Sequence, residues 1–125
     1  MTAHTVLYDP TGCLDRHLPL AREPHLALVA AVLAWPPAVA VPSADCHQIA
    51  LQLSGHARSV ADDVRYYCRT LPENSRPRAL AEVVLADADR LLAVDPSGTV
   101  RCAQQRARLV RALYERLDRL TPPTR

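Results

Sequence analysis

The sequence predicts an all-α protein, an up-down antiparallel bundle of three to four helices with an irregular N-terminal segment. Three observations predict it. Cys46, Ala50, Leu53, Ala57, Val60, Val64, Tyr67 and Leu71 recur in steps of four and three without a break, which is the seam of a long amphipathic helix. Val100, Ala103, Ala107, Val110, Tyr114 and Leu117 repeat that stepping near the C-terminus. No stretch of useful length alternates apolar and polar residues as a half-buried strand would.

The elements follow in order. Residues 1–22 read as irregular, with Asp9-Pro10-Thr11-Gly12 as a turn signal. The first helix starts near Pro24, whose fixed φ suits a first helical position, and ends at Trp35 before Pro36-Pro37. From Leu26 to Val41 no side chain is charged or hydrogen-bonding except the indole of Trp35. A helix apolar around its whole circumference is one covered on most sides.

Ser43 is placed to cap the second helix, with Asp45 in its favourable first turn. Opposite its seam run Gln48, Gln52, Gly55, Ser59, Asp62, Tyr66 and Arg69, a mostly polar stripe. Leu71 to Arg78 breaks the pattern, with Asn74 or Ser75 capping and Pro77 near the first turn of a third helix. That helix runs to about Val94 with Leu80, Val83, Val84, Ala88, Leu91 and Leu92 on its inner face. Asp95-Pro96-Ser97-Gly98 turns the chain into a last helix from about Thr99 to Leu120, and residues 121–125 form a tail. Short connections favour antiparallel neighbours. The second and last helices then run parallel, and Ala50 and Ala57 facing Ala103 and Ala107 let their backbones approach closely.

The composition is that of one soluble globular domain spanning residues 1–125: 49% of residues are hydrophobic and 22% charged. All fifteen basic residues are arginine, and phenylalanine is absent, a bias that fits a GC-rich genome. A net charge of +2 excludes steering of the whole chain to nucleic acid or membrane. The first apolar run comes only after Asp9, Asp15 and Glu23, so no secretory signal is expected. That run is too short for a membrane span and is broken by Pro36-Pro37. The expected setting is cytoplasmic, with Cys13, Cys46, Cys68 and Cys102 as reduced thiols.

No catalytic, metal or cofactor motif is present: there is no CxxC pair, HExxH, GxSxG or glycine-rich phosphate loop. Cys46, His47 and Cys102 fall at one end of the expected bundle, yet seam cysteines ordinarily behave as small hydrophobes. His56 flanks the seam on a stripe with Ile49 and Asp63, the usual place of a boundary histidine. In the last helix Arg101, Arg106, Arg108, Arg111, Arg116 and Arg119 oppose only Glu115 and Asp118. A basic face without a reading element is a weak nucleic-acid footprint.

From Cys46 through Leu120, carried by LSGHARSVADDV, the break LPENSRPRAL and AQQRARLVRALYERLDRL, the chain resembles an uncharacterised family of small helical proteins from Streptomyces-type actinobacteria. Their names mention only natural product biosynthesis. The resemblance covers about three-fifths of the chain and implies a specialised-metabolite setting, without catalytic residues to carry over.

Two functional readings are expected. The first is a non-enzymatic accessory or regulatory protein that acts through an apolar interface, as a homodimer or with a dedicated protein partner, using Leu26, Leu28, Val29, Val32, Leu33, Trp35, Val39 and Val41. The second is a small-molecule-binding protein or cofactor-free enzyme with a cavity between the seam helices, lined by Cys46, His56, Tyr67 and Tyr114. Neither reading calls for a metal or a cofactor.

Overall fold

The structure is a computed structural model that describes residues 22–121. The irregular segment and the tail expected at the two ends lie outside the described residues, but for Arg22 and Thr121 at their inner limits. Four helices make up the described chain: α1 (Arg22–Leu33), α2 (Ser43–Cys68), α3 (Arg76–Leu92) and α4 (Val100–Leu120). No strand occurs among the described residues, and the all-α bundle stands as expected.

Cross-helix hydrogen bonds give the directions. Arg22 meets Asp118 and Gln104 meets Val32, so α1 and α4 are antiparallel. Arg58 meets Leu92 and Arg65 meets Asp89, so α2 and α3 are antiparallel. Ser54 pairs with Arg106 and His56 with Tyr114, so α2 and α4 run parallel. The helix α4 packs on all three others, most extensively on α2. The reason is the small-residue seam: Ala50, Ala57, Ala103 and Ala107 are all fully buried between the two helices. Alanine knobs keep side-chain volume out of the contact, and interaxial distance follows the side chains at the contact. Leu53, Val64, Val110 and Leu113 fill the space on either side without exposure.

Helix ends are set by local chemistry. Ser75 and Thr99 cap α3 and α4, their hydroxyls accepting from the backbone N–H of Arg78 and Cys102 at 3.3 and 3.0 Å. At α2 the Cys46 N–H already bonds the Pro42 carbonyl at 3.0 Å. The helix therefore begins at Ser43 and not after it, so that residue does not cap. The Ser43 side chain and carbonyl lie against Gly98, where a Cβ would stand 2.7 Å from the Ser43 carbonyl oxygen. The α3–α4 turn can seat on the start of α2 only because position 98 lacks a side chain.

C-termini are closed by side chains from neighbouring helices. Gln104 of α4 donates to the Val32 carbonyl of α1 at 3.1 Å. Arg106 of α4 donates to the Leu91 and Val94 carbonyls at 3.1 and 2.8 Å, and Arg58 of α2 to Leu92. Carbonyls without intrahelical partners must be satisfied somehow, and here that need locks the helices together.

The apolar span resolves by side-chain size. Val29 and Val32 of α1 are in the core, while Leu26, Leu28, Leu33 and Trp35 pack half-buried against it. The exposed positions of the span are alanines and prolines: Ala27, Ala30, Ala31, Ala34, Pro36, Pro37, Ala38 and Ala40. Helix α3 departs from expectation. Its inner face is Ala81, Leu85 and Ala88, whereas Leu80 and Val83, expected inside, are 42% and 61% exposed. Two apolar stripes lie on this helix, and the small-large-small stripe of 81, 85 and 88 fits closer to α2 and α4 than the bulkier one.

Candidate functional site

Two places in the bundle concentrate chemistry. One is a buried polar cluster where α1, α2 and α4 meet. His56 of α2 is buried, its Nε2 is 2.6 Å from Tyr114 Oη of α4, and the His25 ring of α1 stacks on it with centroids 3.6 Å apart. The Arg22 guanidinium sits 4.3 Å above the centre of the Tyr114 ring and grips Asp118 through two bonds of 2.9 and 2.7 Å. Burial, and then the neighbouring His25, push the His56 pKa down to about 4. His56 is therefore neutral at pH 7, and its Nε2 is engaged by Tyr114. A general base needs a proton within reach and a pKa near the working pH; the cluster is built instead to hold three helices together.

The second place is a groove between α3 and α4 of about 810 Å³. Val84, Leu91, Val94, Leu109 and Ala112 supply its apolar surface. Asp87, Arg90 and Asp95 stand along the α3 wall, and Arg101 and Arg108 along the α4 wall. Arg106 lies at the floor and is 2% exposed. Its guanidinium is held by Ser54 Oγ at 3.2 Å and by the carbonyls at the end of α3, and no carboxylate among the described residues pairs with it. Arginine keeps its charge even when buried, so α3 receives a fixed cation at its negative end.

The cavity residues expected from sequence are brought together only in part. His56 and Tyr114 are in contact, but Cys46 is buried near the start of α2, beside the Val41 carbonyl, and Tyr67 packs edge-on against Tyr66 near its end. The groove lies elsewhere, against α3. The expected interface is also redistributed. Val29 and Val32 are 2% and 0% exposed and offer no surface to a partner. Leu26 and Leu33 line a smaller hollow of about 410 Å³ with Val29, Ala30, Ala34 and Arg111, while Val39 and Val41 are half-buried beyond α1.

Sequence reasoning passed over the roles of Arg106, Leu80, Val83 and Val94. A signal for the last three existed: α3 carries more large apolar positions than one inward arc can cover. Cys68 is held above the usual thiol pKa by burial and by Glu82, and Cys102 Sγ accepts from the Ser97 N–H at 3.3 Å. A buried thiol in the setting of Cys68 is a poor nucleophile. Among the described residues no group of three or more His, Cys, Asp or Glu is placed to hold a metal ion. No described helix is long and apolar enough to cross a membrane. The model of a family of unknown function, DUF6415, matches residues 25–122. No curated protein and no solved structure matches the chain.

Proposed function

The chain belongs to that family of unknown function, DUF6415, which brings no activity with it, and we propose from its own geometry that it is a non-enzymatic helical accessory protein. It acts by contact with another protein, a second copy of itself included. In the setting its resemblance implies, that work serves the biosynthesis of a specialised metabolite in the cytoplasm of a Streptomyces-type bacterium. One observation carries the reading. Leu80, Val83 and Val94 are 42%, 61% and 62% exposed and follow one another along the outer side of α3 and its end, beside the groove. Contiguous exposed apolar surface rimmed by charge marks an interaction site.

Affinity capture tests it, with Val83→Glu and Leu26→Glu beside the wild type. A protein retained by the wild type and lost from one variant supports the reading. A monomeric wild type from which neither variant loses any partner overturns it.

The groove favours a second reading, a small-molecule carrier or sensor. Its volume lies within the range of ligand sites, and its α4 wall sets the exposed Arg101 and Arg108 beside apolar side chains. A carboxylate-bearing apolar molecule would suit that wall. Binding to the folded state must raise the melting temperature, so a fatty-acid series screened by thermal shift, with Arg108→Ala as control, decides it.

A further inference from the structure

We propose that the α3–α4 face is the seat of a two-fold homodimer, in which each copy lays the outer ridge of α3 into the other copy's groove. This rests on the reading that the protein acts by contact, and it names the partner and the face.

The ridge comes first. Leu80, Val83, Val84, Leu91 and Val94 fall at steps of three, one, seven and three, a stripe down one side of α3 and just past its end, with the charged Asp87 at its middle. At 1.5 Å per residue the stripe is about 21 Å long. Its three outermost members are among the five large hydrophobic residues that stand exposed on the described chain. Three of its residues, Val84, Leu91 and Val94, also form the near wall of the groove, whose far wall is α4 from Arg101 to Ala112. A ridge and a groove sharing one face are what an isologous contact requires, because a two-fold axis sets each against its counterpart. An amphipathic helix seated between two others is also a common recognition geometry.

Charge selects a second copy over an arbitrary apolar helix. The α3 wall presents Asp87 and Asp95, Asp87 being shared with Arg90 of the same wall. The α4 wall presents Arg101 and Arg108. A two-fold rotation that inserts α3 into the partner's groove brings acidic wall toward basic wall twice over. A copy of this chain carries the complement by construction, whereas a foreign helix would need both signs in the right order. Close opposite charges across an interface fix register and discriminate against wrong partners.

The test uses the full chain and sedimentation equilibrium, with circular dichroism to confirm folding. The wild type is expected to show a doubled mass that Val83→Glu returns to that of a single copy. Asp87→Arg with Asp95→Arg, and separately Arg101→Asp with Arg108→Asp, should each weaken self-association at least tenfold. Mixing the two charge variants should restore a dimer, because both contacts are then complementary again. Failure of the mixture to associate while the wild type does so overturns the proposal. So does a wild type that stays monomeric at roughly millimolar concentration, the range of the weakest specific contacts. A dimer indifferent to Val83→Glu and broken by Leu26→Glu also overturns it, and leaves intact the broader reading of action by contact.

Discussion

His56 Nε2 and Tyr114 Oη lie 2.6 Å apart in the buried space between α2 and α4. The bond joins two parallel helices whose remaining contact is made by alanines, aliphatic side chains and the Arg106–Ser54 pair. It also orients the imidazole so that its face is open to His25 and the Tyr114 ring lies beneath Arg22. Polar groups taken from water must be paired, and no buried side-chain nitrogen or oxygen among the described residues lacks a partner. A polar network so closed adds specificity to the packing of α1.

The cluster makes stability depend on pH. The folded His56 pKa is about 4, against an ordinary value of 6.5. Between these values the unfolded chain binds the proton and the folded chain does not, so protons favour unfolding. The contribution is fully present above pH 6.5, is lost as pH falls from there to about 4, and changes no further below. The ring retains some hydration, so the loss should be on the order of 1–2 kcal/mol. Thermal melts from pH 7.5 to 4.5 should show a decline that His56→Gln flattens, since glutamine can bond Tyr114 without titrating.

Arg106 should prove a structural arginine. It satisfies Ser54 Oγ and the Leu91 and Val94 carbonyls together. Arg106→Met keeps most of the stem volume but takes this donor from the Ser54 hydroxyl and the Val94 carbonyl, while the Leu91 carbonyl keeps the Val94 N–H. Each orphaned buried group costs about 1–3 kcal/mol, and water entering from the groove offsets part of the sum. A loss of about 2–3 kcal/mol in urea denaturation is expected. Arg106→Lys should recover little of it, because one ammonium cannot span a forked set of acceptors.

The parallel pair predicts sensitivity to added volume. Ala57 and Ala107 are fully buried in the α2–α4 seam. A leucine at either position must push the helices apart or adopt a strained rotamer, at about 1–3 kcal/mol. Ala31, on the outer side of α1, is exposed. The same change there should fall within about 0.5 kcal/mol. Chemical denaturation of Ala57→Leu, Ala107→Leu and Ala31→Leu separates the two environments.

Much of this fold was legible in the sequence because α2 and α4 face the core with one stripe each. The run from Cys46 through Val64 and the run Ala103, Ala107, Val110, Tyr114 are buried as their spacing implies. Of the helix starts, Ser75 was one of two caps expected, Thr99 was expected only as the start of its helix, and Ser43, expected to cap, does not. What escaped was the choice between equivalent patterns. On α3 the stripes 80, 83, 84 and 81, 85, 88 are both apolar, and only the space left by α2 and α4 decides which turns inward. Arg106 escaped for the opposite reason. Its period places it with the basic residues of α4, and its burial depends on carbonyls that end another helix. The groove, with walls from two elements, has no local signature at all.

The apolar span yields the last prediction. Residues 26–41 carry too much hydrophobic character for composition to say which positions are covered. Burial distinguishes them: Val32 is 0% exposed beneath α4, and Val83, on the outside of α3, is 61% exposed. An acid at position 32 would have to enter the core unpaired, and breaking core complementarity with a charge costs about 3–5 kcal/mol. A typical domain is stable by only 5–15 kcal/mol, so Val32→Asp should detach α1 or unfold the chain. Amide hydrogen exchange should show protection lost first in α1. Val83→Glu places the same kind of group where water already reaches it, and the urea midpoint, measured at concentrations where the wild type is monomeric, should stay close to wild type. If Val32→Asp left both stability and α1 protection unchanged, α1 would not be packed into the core as Val29 and Val32 indicate.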